Sequence, residues 1–347
     1  MLGHTEQGYP TTQPLKRSSI DAHTAMQAKL QQAITNILPS ANTALHEVAH
    51  FHFNEFGKLL RGQTALAVSA AVDLDPKRAL QWALAVELMH NASLVHDDIC
   101  DRDERRRDRL TIFSAFGTPL AICFGDWLVA QSFEAALAAV GDNSAHGVAA
   151  VAGLAKVMAR LSVGQADEFT GVPVLTWPAY EQVVCRKTVP LILAPIEGPL
   201  QLAEHVSDLL TVRRAIRALG IAYQMANDIL DVLGQDGSAG AFGDLHRRAP
   251  NAVLVSFRNQ LVNGSRSAFD AWMAAPTTDE TPYGAEQMIA TGALANCARR
   301  LQDQIDTCQM HCADLPLALQ TALAPLLGYL EKTTNVARSR AAENRWQ

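Results

Sequence analysis

At 347 residues, 48% of them hydrophobic and 18% charged, the chain can bury one large core or two modest ones. A formal net charge of -6 excludes a general nucleic-acid binder, because phosphate-backbone binding rests on a basic face, so any cationic chemistry must be local. Six scattered cysteines in apolar or helical surroundings argue for reduced thiols in a cytoplasmic protein rather than a secreted disulfide framework.

Residues 1 to about 20, rich in Thr, Gln and Pro, read as a disordered tail without the apolar core of a signal peptide. Residues 21–347 read as a single all-α domain. Ala- and Leu-rich segments repeat apolar residues at helical spacing, and no alternating Val- or Ile-rich run argues for a strand. No uninterrupted apolar stretch approaches membrane-spanning length, so no stable membrane insertion is expected. Helix boundaries are expected at Asp75-Pro76, Gly117-Thr118-Pro119, Gly141-Asp142-Asn143, Gly171-Val172-Pro173 and Gly234 to Gly243, with a surface loop over Ala274 to Gly284.

The segment Leu80 to Asp98 is apolar on nearly every face and reads as a central helix ending in the sequence HDDICD. Asp97 and Asp101 lie four apart on one face, about 5.4 Å along it, and repel unless a cation lies between them. Hard oxygen donors suit magnesium, which keeps waters and binds through one or two carboxylates plus substrate phosphates. RDERRRDR follows directly. Its guanidinium forks match phosphate oxygens, although the interspersed Asp103, Glu104 and Asp108 equally suit a charge-balanced exposed loop.

Val212 to Gly234 is a second apolar helix finishing in carboxylates. In YQMANDILD, Asn227 and Asp231 share a face with Asp228 beside them. Either cluster alone reads as a solvated helix end. Two like arrangements on two apolar helices favour a shared site, in which the helix ends face each other and clamp a diphosphate through bridging metals. Cys308, His311 and Cys312 also share a helical face, but structural zinc normally takes four ligands, so they read as ordinary residues.

From about Glu55 to Leu330 the chain resembles a trans-polyprenyl diphosphate synthase, an all-helical class I isoprenoid synthase built as a multi-helix bundle around a central apolar cavity. GKLLRG resembles the family's Gly-Lys-x-x-Arg-Pro, with Gly62 in place of proline, and implies that Lys58 and Arg61 hold the diphosphate of isopentenyl diphosphate. ELMHNASLVHDDICD resembles the first aspartate-rich motif. It implies Asp97 and Asp101 as magnesium ligands, Asp98 as support, and His90 as a further contact to isopentenyl diphosphate. Arg106 and Arg107 align with paired arginines that meet the substrate diphosphates, Arg106 with a catalytic part. FGDWLVA, GQADE and RKTVPL are also family-like. They imply that Gln165 lines the cavity, Lys187 contacts the allylic diphosphate and Thr188 faces the nascent cation. Tyr223 and Gln224 match the aromatic-Gln pair before the second motif, whose metal ligands would be Asn227, Asp228 and Asp231.

Departures gather in the second half. Asn227 stands where the family has aspartate, and the lost charge weakens a metal site. In AFGDLHRRAPNAVL the family's lysine position falls on Ala249, with Arg247 or Arg248 as substitutes if the register slips; the preceding family lysine is absent from GSAGAFGD.

The resemblance implies a magnesium-dependent prenyltransferase, a homodimer, that joins an allylic diphosphate to isopentenyl diphosphate. Short-product members carry bulky aromatics where this chain has Ala92 and Ser93. The next floor positions are Met89, Val86 and Trp82, and each helical turn matches about one isoprene unit, so a product of roughly 20 carbons or longer is expected. Two alternatives stand beside this reading. One is a diverged class I terpenoid synthase, since Asn227, Asp231 and Gln235 are similar to the second motif of cyclases. The other is a non-catalytic subunit that regulates a competent synthase.

Overall fold

The computed structural model describes residues 17–106, 109–141, 145–169, 172–235, 243–275 and 282–343. They form α1 (Arg17–Ile37), α2 (Leu45–Phe53), α3 (Leu60–Ala71), α4 (Pro76–Asp101), β1 (Arg105–Arg106), β2 (Arg109–Leu110), α5 (Ile112–Val140), α6 (Ala145–Glu168), α7 (Trp177–Lys187) and α8 (Val189–Leu202). After these come α9 (Leu209–Val232), α10 (Gly243–Arg247), α11 (Ala252–Gln260), α12 (Asn263–Ala274), α13 (Ala285–Ala290), α14 (Ala293–Ala313) and α15 (Leu317–Glu343). Residues 1–16, within the expected tail, lie outside the described residues, as do Arg107, Gly171 and residues 276–281 of the expected loop; α1 already begins at Arg17.

The punctuation works as capping chemistry. Asp75 accepts the N–H groups of Lys77 and Arg78, and Pro76 follows at a position where the missing N–H goes unused. Gly141 ends α5 and Gly234 follows α9, both at positive φ. At Gly117 (φ 80°) and Pro119 the expected boundary is a kink inside α5. One expectation needs correction: the arginine block forms an antiparallel hairpin, Arg105 opposite Leu110 and Arg106 opposite Arg109. Thr111 anchors it, its N–H donating to Glu104 O and its hydroxyl to Asp103 O, so pairing comes from local bonds that a search for β-branched runs does not register.

A second correction concerns length. By length and composition α5 and α6 are apolar enough to cross a membrane, and Ile122, Leu137, Val148 and Val163 on them are exposed. Asp126 and Glu134 within α5 make that run look shorter in the sequence than it is as a helix.

Two apolar cores meet along α9. Its first half, Val212 to Leu219, packs on α8 and α15 in the core that also holds α3, α4, α5 and α6, whereas Ile221 to Val232 belong to the core shared with α7, α11 and α14. The contact of α4 with α8 is close because of Gly198: a Cβ there would lie 1.9 Å from the Trp82 ring. Trp82 is 1% exposed and donates Nε1–H to Ala194 O at 3.1 Å, so its polar edge is satisfied in the core.

Between α2 and α4, His52 Nε2 lies 2.7 Å from Asn91 Oδ1. Asn91 spends its amide on Glu87 O, so the imidazole is the donor and its other nitrogen carries no proton. Burial against Phe53 and Phe124 lowers the His52 pKa to about 4. The unfolded chain therefore takes up a proton that the fold refuses. Stability is complete above the unfolded pKa near 6.5 and falls by about 3 kcal/mol as pH drops from there toward 4. Urea unfolding of the native chain and of His52→Gln at pH 7.5 and pH 4.5 should show this loss as the difference between the two, because the buried carboxylates with raised pKa change both alike.

Candidate active site

The first acidic end is assembled where α4, α6 and the hairpin meet. Asp98 is 6% exposed and accepts Arg106 Nε and Nη2, each at 2.7 Å, on one oxygen. Burial raises its pKa to about 6 against the pull of Arg106. Asp97 also rises to about 6, chiefly by burial; Lys187 opposes the shift and Asp101 adds to it. Gln165, at the end of α6, donates Nε2–H to Asp101 Oδ1 at 3.2 Å. Its own Oε1 is buried and meets no hydrogen-bond partner among the described residues.

Glu168 is a residue that sequence reasoning missed. It accepts Lys187 Nζ at 2.7 Å, beside the ion pair of Asp167 with Arg186. Two adjacent acids and two adjacent bases, 19 residues apart, are the signal that could have revealed this register. Burial raises the Glu168 pKa against Lys187, and Asp101 and Asp244 raise it further.

On α9, Asp228, expected as a metal ligand, is held inside the fold. Its oxygens accept Tyr180 O–H at 2.7 Å, Ala252 N–H at 2.8 Å and Gln224 Nε2–H at 2.9 Å. A 1% exposed carboxylate with three donors is an internal anchor, and burial pushes its pKa up. Asn227 is half-buried one residue earlier, and Asp231 Oδ1 accepts Asp244 N–H at 3.4 Å. Gln224 links inward and outward, since its Oε1 accepts the Thr188 hydroxyl at 2.9 Å.

The missing lysine has a structural counterpart. Arg247 Nη2 donates to Asp244 Oδ1 at 3.1 Å. Burial opposes its charge, but Asp244, Asp101 and Asp103 outweigh it and hold the guanidinium above its ordinary value. Arg247 therefore feels carboxylates from both acidic ends. Arg248, at φ 55°, turns away, stacking 4.6 Å over Trp272 and donating to Ala275 O.

The third group sits on α3. Pro195 lacks an N–H, which releases the Leu191 carbonyl from the helical ladder, and Arg61 Nε donates to it at 3.2 Å. Gly62 N–H donates to the buried Glu87 carboxylate at 2.8 Å. A Cβ at Gly62 would lie 2.2 Å from Leu30 and 2.9 Å from Glu87, so a proline there would lose the bond and clash. Lys58 Nζ lies 4.4 Å over the Tyr329 ring, and half-buried His90 is one turn beyond Glu87 on α4. Below Asp97 the helix face descends through Ser93, Ala92, Met89 and Val86 to Trp82, all buried.

Among the described residues no three His, Cys, Asp or Glu side chains are arranged to hold a metal by themselves. Cys308 and Cys312 Sγ atoms lie 3.9 Å apart, a pair of buried thiols. The mouth nevertheless fits a divalent ion shared with a ligand. Asp97, whose charge is disfavoured by burial and by Asp101, and an orphaned Gln165 oxygen beside Asp101 form a donor set that substrate oxygens would complete.

The polyprenyl synthetase family model matches residues 42–281. A (2E,6E)-farnesyl diphosphate synthase of Mycobacterium bovis is 29% identical over 253 residues, 70% of this chain and 68% of that protein. A geranylgeranyl diphosphate synthase of Saccharolobus solfataricus is 33% identical over 232 residues, 64% of this chain and 68% of that protein. Among solved structures, a polyprenyl synthase from Caulobacter crescentus complexed with calcium and isoprenyl diphosphate superimposes with a TM-score of 0.75. It covers 93% of this chain and 97% of its own at 24% identity, a likeness of fold. A decaprenyl diphosphate synthase from Rhodobacter capsulatus gives a TM-score of 0.76 at 22% identity, over 92% of this chain and 98% of its own.

Proposed function

The chain belongs to the polyprenyl synthetase family and is a prenyltransferase, and from that premise we propose that it condenses an allylic prenyl diphosphate with isopentenyl diphosphate at the mouth between the ends of α4 and α9. The observation that carries this reading is a chain of bonds from one acidic end to the other: Gln165 on α6 bonds Asp101, Glu168 on the same helix bonds Lys187, and Thr188 beside it bonds Gln224 on α9.

When bound, magnesium supplies positive charge to the oxygens of the departing diphosphate. Asp97 and Asp101, with Asn227 and Asp231 opposite, would hold it. Lys187, steadied by Glu168, and Arg106, steadied by Asp98, present cations to the same diphosphate. The allylic C–O bond breaks as pyrophosphate leaves, the isopentenyl double bond attacks the allylic carbon, and pyrophosphate takes the proton lost from the new chain. The Thr188 hydroxyl donates its hydrogen bond to Gln224 Oε1, which leaves the hydroxyl lone pairs to face developing positive charge. Lys58, Arg61 and His90 orient isopentenyl diphosphate, with Arg61 fixed by the Leu191 carbonyl. That acceptor site favours elongation over cyclisation.

Arg247 takes the part of the absent lysine. Arg247→Ala should raise KM for the allylic diphosphate about tenfold, from the loss of a charge-assisted bond, and leave KM for isopentenyl diphosphate nearly unchanged. Steady-state kinetics with each substrate varied in turn checks this.

Small side chains at Ala92 and Ser93 open the path along α4, and we assign a product of about 20 carbons or longer. Ala92→Phe should shorten the product by about one isoprene unit, read by mass spectrometry of the diphosphates. An unchanged distribution would contradict growth along this helix face.

The exposed apolar residues of α5 and α6 suit burial against a second copy, and we place the enzyme in the cytoplasm as a homodimer. Purified protein given magnesium, isopentenyl diphosphate and allylic diphosphates of five to twenty carbons tests the function. Elongated diphosphates are expected. Hydrocarbons or alcohols formed without acceptor, or turnover only with another chain added, would overturn it.

A further inference from the structure

A cavity of about 890 Å³ lies away from the acidic mouth, between α14 and the last turns of α15, and is closed by the end of α11 and by Trp177. Its chemistry is opposite to that of the chain as a whole. Arg299, Arg300 and Arg338 line it against one carboxylate, Asp303, in a protein of net charge -6. None of the three arginines has an ion-pair partner among the described residues. Arg300 stacks 4.2 Å over Trp177, and Arg338 reaches only Asn335 Oδ1 at 3.5 Å. Like charges gather at some energetic cost unless an anion offsets them.

A second observation is independent of charge. Asn259, Gln260 and Asn296 set side-chain amides around the same cavity, groups that suit a ligand bearing hydroxyl or amino groups. Apart from Trp177 the lining is alanine and polar side chains, which gives a prenyl tail no apolar groove. The volume falls in the range of pockets that hold drug-sized ligands.

We propose that this cavity binds a phosphoanhydride anion that also carries hydrogen-bond donors, the chemistry of a nucleoside triphosphate. The guanidinium groups take the phosphates, and the side-chain amides of Asn259, Gln260 and Asn296 pair with hydroxyl or amino groups. The site stands one layer behind the second acidic end. Trp177 meets Tyr180 edge-on at 6.0 Å, Tyr180 bonds Asp228, and the first N–H of α11 bonds Asp228 as well. Occupancy therefore braces α7, α11 and α14 around the anchor that sets α9.

The test is calorimetric titration of the full chain with ATP and, separately, inorganic pyrophosphate, with EDTA present to suppress metal-dependent binding at the mouth. One ATP per chain is expected, binding at least about tenfold tighter than pyrophosphate and weakening as salt rises. The Arg299→Ser/Arg338→Ser pair should lose about tenfold or more in ATP affinity, whereas Arg299→Lys/Arg338→Lys should lose less. In parallel, ATP should raise the melting temperature of the native chain and not that of the serine pair. Absence of metal-free binding, equal affinity in the serine pair, or equal affinity for pyrophosphate would overturn the proposal. The readout is independent of prenyl transfer, so its failure and the failure of the elongation reading are separable.

Discussion

Asp97→Asn should lower turnover about a thousandfold while leaving helix content and melting temperature intact or slightly improved. The two effects part company for a physical reason. Asp97 is a half-buried carboxylate pushed up to about 6, so its charge is already a burden on the fold, and the neutral amide relieves it. The same charge is what divalent ion and diphosphate require. Circular dichroism and initial rates on one preparation check both halves. A variant that loses stability along with activity would assign Asp97 a structural role instead.

Asp228→Ala should do the reverse, costing about 3 kcal/mol or more of stability, because it strips the acceptor from Tyr180 O–H, Gln224 N–H and Ala252 N–H, which stay buried. Tyr180 and Ala252 belong to different helices, so their loss should loosen α7 and α11 from α9 together. Urea unfolding measures the cost, and a loss below about 1 kcal/mol would show that the three donors find other partners. On the proposed reading neighbouring residues divide the work: Asp228 holds the helix, and Asn227 and Asp231 are left for the metal.

That division explains what the sequence could and could not reveal. The spacing of Asp97 and Asp101 fixes their shared face, because a period of 3.6 allows little else. The helical class, the capping at Asp75 and the stop at Gly141 were legible for similarly local reasons. Asp228 was not, because α9 is buried on nearly every side in its second half and apolar periodicity cannot tell which side faces a cavity. Nor could spacing choose between Arg247 and Arg248. The choice turns on the positive φ of Arg248, which sends that side chain to Trp272 while Arg247 stays bonded to Asp244. Glu168 was hidden because its partner depends on the registry of α6 against α7, a tertiary fact. The pairing of Gly62 with Glu87 shows the converse: a departure from the family pattern became intelligible once the N–H it supplies had an acceptor.

Anomalous diffraction from crystals grown with manganese and pyrophosphate addresses the central claim most directly. Divalent ions should appear on Asp97 and Asp101 and also next to Asn227 and Asp231, with one pyrophosphate spanning them. Ions confined to a single helix end, or a pyrophosphate that touches neither, would contradict it.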